Sequence, residues 1–210
     1  MVDPDGRKVE FRKGVPEWVK QRYYATIEYM KETGTYDLVF KELEESEKFI
    51  VYIDYDVKKT LEKGGTFSII NNDMIIKWNP NVLLKTDNGT ILFPATILAH
   101  EGAHALQYIK YGDKKYKEKK KREDPQYKNQ LEREVIEDYE WEIARKHGDI
   151  REDEVTREGH YVLPYIPHKA LIYLYEVCGI AEKNRETCNI MLDSLKWELI
   201  LKYYSTQQSH

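Results

Sequence analysis

The stretch PATILAHEGAHALQYIK, residues 94–110, constrains this chain more than any other, because it sets three ionisable groups inside an apolar run. His100, Glu101 and His104 stand among Ile97, Leu98, Ala99, Ala103, Ala105 and Leu106. A buried imidazole or carboxylate left without a partner costs about 1–3 kcal/mol or more, so a fold that buries this run must satisfy all three groups. One metal ion does so. The spacing H-E-x-x-H is just over one helical turn, so both imidazoles leave one face of a helix and reach a single ion. Glu101 then sits beside the water on that ion, which is the arrangement a hydrolytic zinc site requires. The small pair Gly102-Ala103 is expected to leave room above the metal.

Around this helix the 210 residues supply enough chain for one well-covered core, and we take residues 1–210 as a single domain. Residues 1–47 are expected to be helical: VPEWVKQRYYATIEYMKETG carries Trp18, Tyr23, Ile27 and Met30 at helical spacing, and TYDLVFKELEESEK follows as a shorter helix. Residues 48–148 are expected to hold the sheet and the metal-site helices. KFIVYIDYD has the β-branched and aromatic content of a strand, TFSIINNDMIIKWNP reads as a hairpin turning at Asn71-Asn72-Asp73, and GTILF is a further short strand. Pro94 then opens the motif helix. After it come a polar, lysine-rich connection, KYGDKKYKEKKKREDPQYKNQ, and a long helix, YKNQLEREVIEDYEWEIARKHG, stopping at Gly148. Residues 149–210 are expected to close the fold with two helices, PHKALIYLYEVCG and NIMLDSLKWELILKYY. The fold class is therefore α+β.

Charge excludes some partners. A net charge of -4 gives no general attraction to nucleic acid or to an anionic membrane. The local exception is residues 110–122, with eight basic residues interleaved with Tyr111 and Tyr116. Such a run can grip phosphates and stack on bases, but as a solvated loop or exposed helix it does neither, and we take nucleic acid as an unlikely partner. No apolar run has the length of a signal peptide core or a membrane span, so the expected location is cytoplasmic, with no membrane partner. Cys178 and Cys188 are then expected reduced rather than bridged. Oligomeric state is not legible.

The segment ILAHEGAHALQ resembles the active-site helix of the zincin metallopeptidases. Metzincins extend the motif with a glycine and a third histidine, where this chain has Gln107 and Lys110. Gluzincins instead take a glutamate from a later helix, and LEREVIEDYEWEIAR is such a helix, beginning after the motif with Glu132 placed 28 residues beyond His104. Stepping about 100° per residue, Leu131, Val135, Ile136, Tyr139 and Ile143 form one arc with Glu132 at its middle, while Glu134 and Glu137 point away. Glu132 is the expected third ligand beside His100 and His104. Glu134 stays open as the alternative: Glu132 fits an E-x-x-A pattern with Val135 in the small position, and Glu134 with Asp138 fits the E-x-x-x-D of thermolysin-like enzymes, whose Asp orients a ligand histidine.

The resemblance, over residues 66–145, implies a zincin-like fold: a small mixed or antiparallel sheet packed on the motif helix and the glutamate-bearing helix. It implies a zinc peptidase that hydrolyses peptide or protein by metal-activated water, with Zn2+ on His100, His104 and Glu132 and with Glu101 as general base. DMIIKWNPN is placed to be the edge strand that binds substrate, or else an ordinary core strand. His160, Tyr161 and His168 are possible oxyanion stabilisers, each equally readable as a structural residue. The alternative to an enzyme is a non-catalytic or latent protein on a zincin scaffold, a binding or virion-associated protein with a structural metal.

Overall fold

In the computed structural model, which describes residues 9–163 apart from 47, 57–59, 61, 62, 72, 160 and 161, sequence periodicity decides which strand is central. β2 (Val51–Asp54) alternates buried Val51 and Ile53 with half-buried neighbours. β4 (Asp73–Trp78) instead buries Met74, Ile75, Ile76 and Trp78, so both of its faces are covered. The sheet follows from this: its order is β1-β2-β4-β3, with β1 (Val9–Phe11) parallel to β2, β2 parallel to β4, and β3 (Gly65–Ile70) antiparallel to β4. The expected hairpin is present. Of the two readings of DMIIKWNPN, edge strand and core strand, the second holds: β4 is interior, and the edge beside the motif helix is β3. The continuous apolar run of β4 suits two-sided burial, and Pro80, a residue that suits an edge better than a centre, lies beyond the strand's end.

α1 (Glu17–Glu32) and α2 (Tyr36–Glu45) are the two helices expected within residues 1–47, burying Val19, Tyr23, Ile27 and Met30 from the first and Val39, Phe40 and Leu43 from the second, but the stretch is not helical throughout, because β1 precedes them and pairs into the sheet. β5 (Leu84–Thr86), β6 (Ile91–Leu92) and a strand at Val162–Leu163 make a separate three-stranded sheet. The motif helix, α3 (Pro94–Lys121), has Pro94 in its first turn and buries every residue from Pro94 to Tyr108. It packs on β3 and β4 on one side and on α2 on another. Gly102 serves that second contact: a Cβ there would lie 2.8 Å from Val39 and 3.2 Å from Phe40. The room expected above the metal at Gly102 is therefore filled by α2.

One alternative is resolved and one expectation changes. Of the solvated loop and the exposed helix, the lysine-rich stretch takes the second: α3 runs on to Lys121, broken only at Gly112, whose φ of 70° and ψ of 166° are non-helical. The long glutamate-bearing helix is interrupted. It consists of α4 (Gln130–Val135), a π turn (Ile136–Glu140) and α5 (Trp141–His147), after a short strand pair at Glu123–Asp124 and Lys128–Asn129. The described residues are thus α+β and fall within one compact unit, Met1–Ile166. Among them no helix is long and apolar enough to cross a membrane. The two closing helices, Cys178 and Cys188, and His160, Tyr161 and His168 lie outside the described residues.

Candidate metal centre

Three local devices converge on one point. The first half of α3 presents His100 and His104 from one face, as the spacing requires. Asn129 caps α4, accepting hydrogen bonds from the backbone N–H of Leu131 at 3.0 Å and of Glu132 at 3.1 Å, and so fixes the turn that carries Glu132. β3 brings its backbone against α3 at Gly65, where a Cβ would fall 2.8 Å from Glu101 Cγ. Only a residue without a side chain lets Glu101 stand there.

His100, His104 and Glu132 each offer one ligand atom, and these atoms lie within 4.8 Å of one another. Glu132 Oε2 is 3.6 Å from His100 Nε2, and Glu132 Oε1 is 3.4 Å from His104 Nε2. These separations are longer than good hydrogen bonds. They match the edge of a ligand tetrahedron, which is about 3.4 Å when N and O ligands stand about 2.0–2.2 Å from a zinc ion. Charge points the same way. Glu101, Glu132 and Glu140 all face the guanidinium of Arg157, so three carboxylates meet one guanidinium in this mostly buried group, and a divalent cation between the histidines would offset the excess.

Each histidine has its second nitrogen occupied. His100 Nδ1 lies 2.7 Å from Glu140 Oε2, and His104 Nδ1 lies 3.3 Å from Gln107 Oε1. Gln107 Nε2 in turn donates to the Leu131 carbonyl at 3.1 Å. Both Nδ1–H groups are thereby directed outward and both Nε2 lone pairs inward. Arg157 Nη2 also stands 3.2 Å from His100 Nδ1, but that nitrogen's proton goes to Glu140, so the guanidinium is the carboxylate's partner and not a donor to the ring.

Electrostatics follow from the burial. Burial alone would push the His100 imidazole down, yet the nearby carboxylates of Glu132 and Glu140 outweigh it and hold it up at about 9. Burial raises Glu140 less than Arg157 and His100 lower it, to about 2, so it is a carboxylate at every working pH. Burial raises Glu101, and Glu132 adds to this, against the two histidines and Arg157.

The second half of α3 folds back toward the site. A straight helix rising about 1.5 Å per residue would carry Tyr116 far from Glu101. The break at Gly112 instead lays Tyr116 edge-on to Phe67 at 6.2 Å and to Tyr108 at 5.4 Å, and Phe67 is stacked against His104 at 6.4 Å. The buried Tyr116 phenol is accordingly raised, by burial first and then by Glu132 and Glu101. Lys119 pairs with Glu134, which also accepts from Tyr111 Oη at 3.0 Å and Gln130 Nε2 at 2.9 Å.

The structure therefore brings Glu132, and not Glu134, to the histidine pair. The carboxylate of Glu134 is engaged by the lysine segment, and the residue beside His100 is Glu140 rather than Asp138. Sequence reasoning passed over Gly65, Gln107, Glu140 and Arg157. Gln107 had a signal, since a buried amide three residues from His104 needs partners of its own. Glu140 had none: eight steps of about 100° leave it about 80° round from Glu132, and only the residue inserted by the π turn takes one step back and puts both on one face.

No curated protein and no solved structure matches the chain. A family model does, over residues 21–156, more than half of the chain and inclusive of all four motif and ligand positions. The chain belongs to that family, Peptidase_M91, a family of peptidase-related effector proteins.

Proposed function

We propose that the chain is a zinc-dependent peptidase with a zincin-like, gluzincin-type site: His100, His104 and Glu132 hold Zn2+, and Glu101 is the general base. The observation that carries this is the pair of 3.4 and 3.6 Å separations between the Glu132 oxygens and the two inward imidazole nitrogens, a triangle sized for one ion. Two imidazoles and one carboxylate form a donor set that suits zinc. Zn2+ in this set supplies Lewis acidity toward a carbonyl and toward water.

The chain's own residues do the rest. Glu101, neighbouring both histidines, takes a proton from the attacking water and passes it to the leaving amine. Burial and the nearby Glu132 raise its pKa, which brings it closer to that double duty. β3 ends the sheet beside α3 and has no strand on its outer side among the described residues, so an extended peptide adds to that edge with its backbone paired and its scissile bond carried past Glu101. The substrate is thus an extended peptide or unfolded protein segment; nucleic acid and membrane have no part in the reaction. We assign the reaction to a cytoplasm.

The test is zinc content together with cleavage of an unfolded protein by wild type and Glu101→Gln. The variant is expected to keep zinc and to lose turnover by about 10²- to 10⁴-fold. Equal cleavage by both proteins removes Glu101 from its role. A latent or non-catalytic scaffold is the second reading, favoured by Tyr116 packed over Phe67 and by Glu101 being only 8 % exposed. Its signature is zinc bound stoichiometrically by a wild-type protein that cleaves nothing.

A further inference from the structure

Arg157 is 4 % exposed, and a guanidinium at that depth has to be accounted for. Its Nε donates to Glu140 Oε1 at 2.9 Å and its Nη2 to Glu140 Oε2 at 2.5 Å, a two-point grip. Thr156 Oγ1 adds a bond to Oε1 at 2.5 Å. With His100 Nδ1 on Oε2, both carboxylate oxygens are fully engaged and Glu140 has no freedom to turn. Stability is a weak reason for such a pair, because packed apolar residues of similar size hold a core as well as a buried ion pair does. Direction is a better reason, since only the polar pair fixes the plane of an imidazole.

The loop that delivers Arg157 is itself pinned. Thr86 Oγ1 donates to the Thr156 carbonyl at 2.7 Å and Asn88 Nδ2 to the Val155 carbonyl at 2.8 Å. Arg145 Nη2 holds the Glu154 carbonyl at 3.0 Å, and Gly159 lies so close to Asp87 that a Cβ would meet its carboxylate at 2.8 Å. The end of β5 and the turn after it, together with Arg145 of α5, thus brace residues 154–159. Arg157 lies one residue beyond the span matched by the family model.

We propose that Arg157 is a positioning residue of the centre: it locks Glu140, and through Glu140 the ring plane of His100 and the tautomer that leaves Nε2 facing the ion. This rests on the reading of the site as a metal centre. The small second sheet acquires a purpose by it, as the brace for a residue that never touches substrate.

Zinc affinity by chelator competition and the visible spectrum of the cobalt-substituted protein are measured for folded wild type, Arg157→Met, Arg157→Lys and Glu140→Gln. Arg157→Met and Glu140→Gln are expected to weaken zinc by about 10- to 100-fold and to shift the cobalt bands. Arg157→Lys, which keeps the charge and loses the fork, is expected to lose about three- to tenfold. The sign is decisive: a guanidinium acting only as a like charge would repel the ion, so tighter zinc binding in Arg157→Met overturns the proposal. Unchanged affinity and spectrum overturn it as well. If Arg157→Met does not fold, Arg157→Lys and Glu140→Gln decide, and wild-type values in both are fatal. A wild type that takes up no zinc refutes the metal centre itself, before any variant is compared.

Discussion

Gly65 has no side chain, and that is what lets Glu101 stand beside the histidines. An added Cβ would meet Glu101 Cγ at 2.8 Å and Ile97 Cγ2 at 3.2 Å, the near end of one side chain and the branch of another, so neither can step aside cheaply. Gly65→Ala is expected to cost about 1–3 kcal/mol of stability and, on the proposed mechanism, to lower kcat much more than it changes zinc affinity, because His100, His104 and Glu132 are untouched while Glu101 is displaced. Urea unfolding, a zinc titration and a kinetic assay on the same preparation check this; an unchanged kcat would show that Glu101 has slack at this position. At this scale the sequence was legible where one residue's chemistry was at odds with its neighbours. His100, Glu101 and His104 announced themselves by polarity inside an apolar run, and Glu132 by its place on an apolar arc. Gly65 and Arg157 gave no such signal, since a glycine in a strand and an arginine in a loop are ordinary until their surroundings are known.

Elements were read well as types and poorly in phase. The helices over 17–32 and 36–45, the hairpin and the motif helix follow from period and turn residues, which are local properties. The π turn is invisible to that method, because its sequence, IEDYE, differs in no way from a helical one. Its consequence is large: it rotates Glu140 under His100, whereas an unbroken helix would aim it aside. The break at Gly112 is the counterpart on α3. Its φ of 70° with ψ of 166° lies in a region essentially reserved for glycine, so Gly112→Ala is expected to lose about 1–3 kcal/mol. Straightening of the helix would also draw Tyr116 off Phe67 and Lys119 off Glu134, releasing two contacts that hold residues 114–121 against the core. Faster tryptic cutting within those lysines is the expected outcome, and wild-type cutting rates would mean that the segment docks without the bend.

For the whole molecule the proposed zinc centre implies a pH response that separates the ion-free protein from a zinc-loaded one. The His100 imidazole has its ordinary pKa of 6.5 raised to about 9, burial opposing and the carboxylates of Glu132 and Glu140 prevailing. A raised pKa means that zinc-stripped protein gains stability from this imidazolium fully below pH 6.5 and loses it as pH climbs through about 9. Zinc needs the same ring neutral, so its apparent affinity is expected to rise about tenfold per pH unit across that window. Thermal unfolding with chelator and competition titrations over the window should therefore slope in opposite directions. A flat zinc affinity would remove His100 as the ligand that carries the competing proton.

What the chain determines by itself is the local grammar: which runs are helix or strand, that two imidazoles share a face, and that buried ionisable groups demand a common partner. Those are consequences of spacing and of the cost of desolvation, which act within a few turns. The tertiary structure alone decided the rest. It made β4 interior and β3 the edge, filled the space at Gly102 with α2, laid Tyr116 against Phe67, and set Arg157 behind Glu140. Each of these depends on which surfaces meet across the core, a long-range packing outcome that no local period encodes.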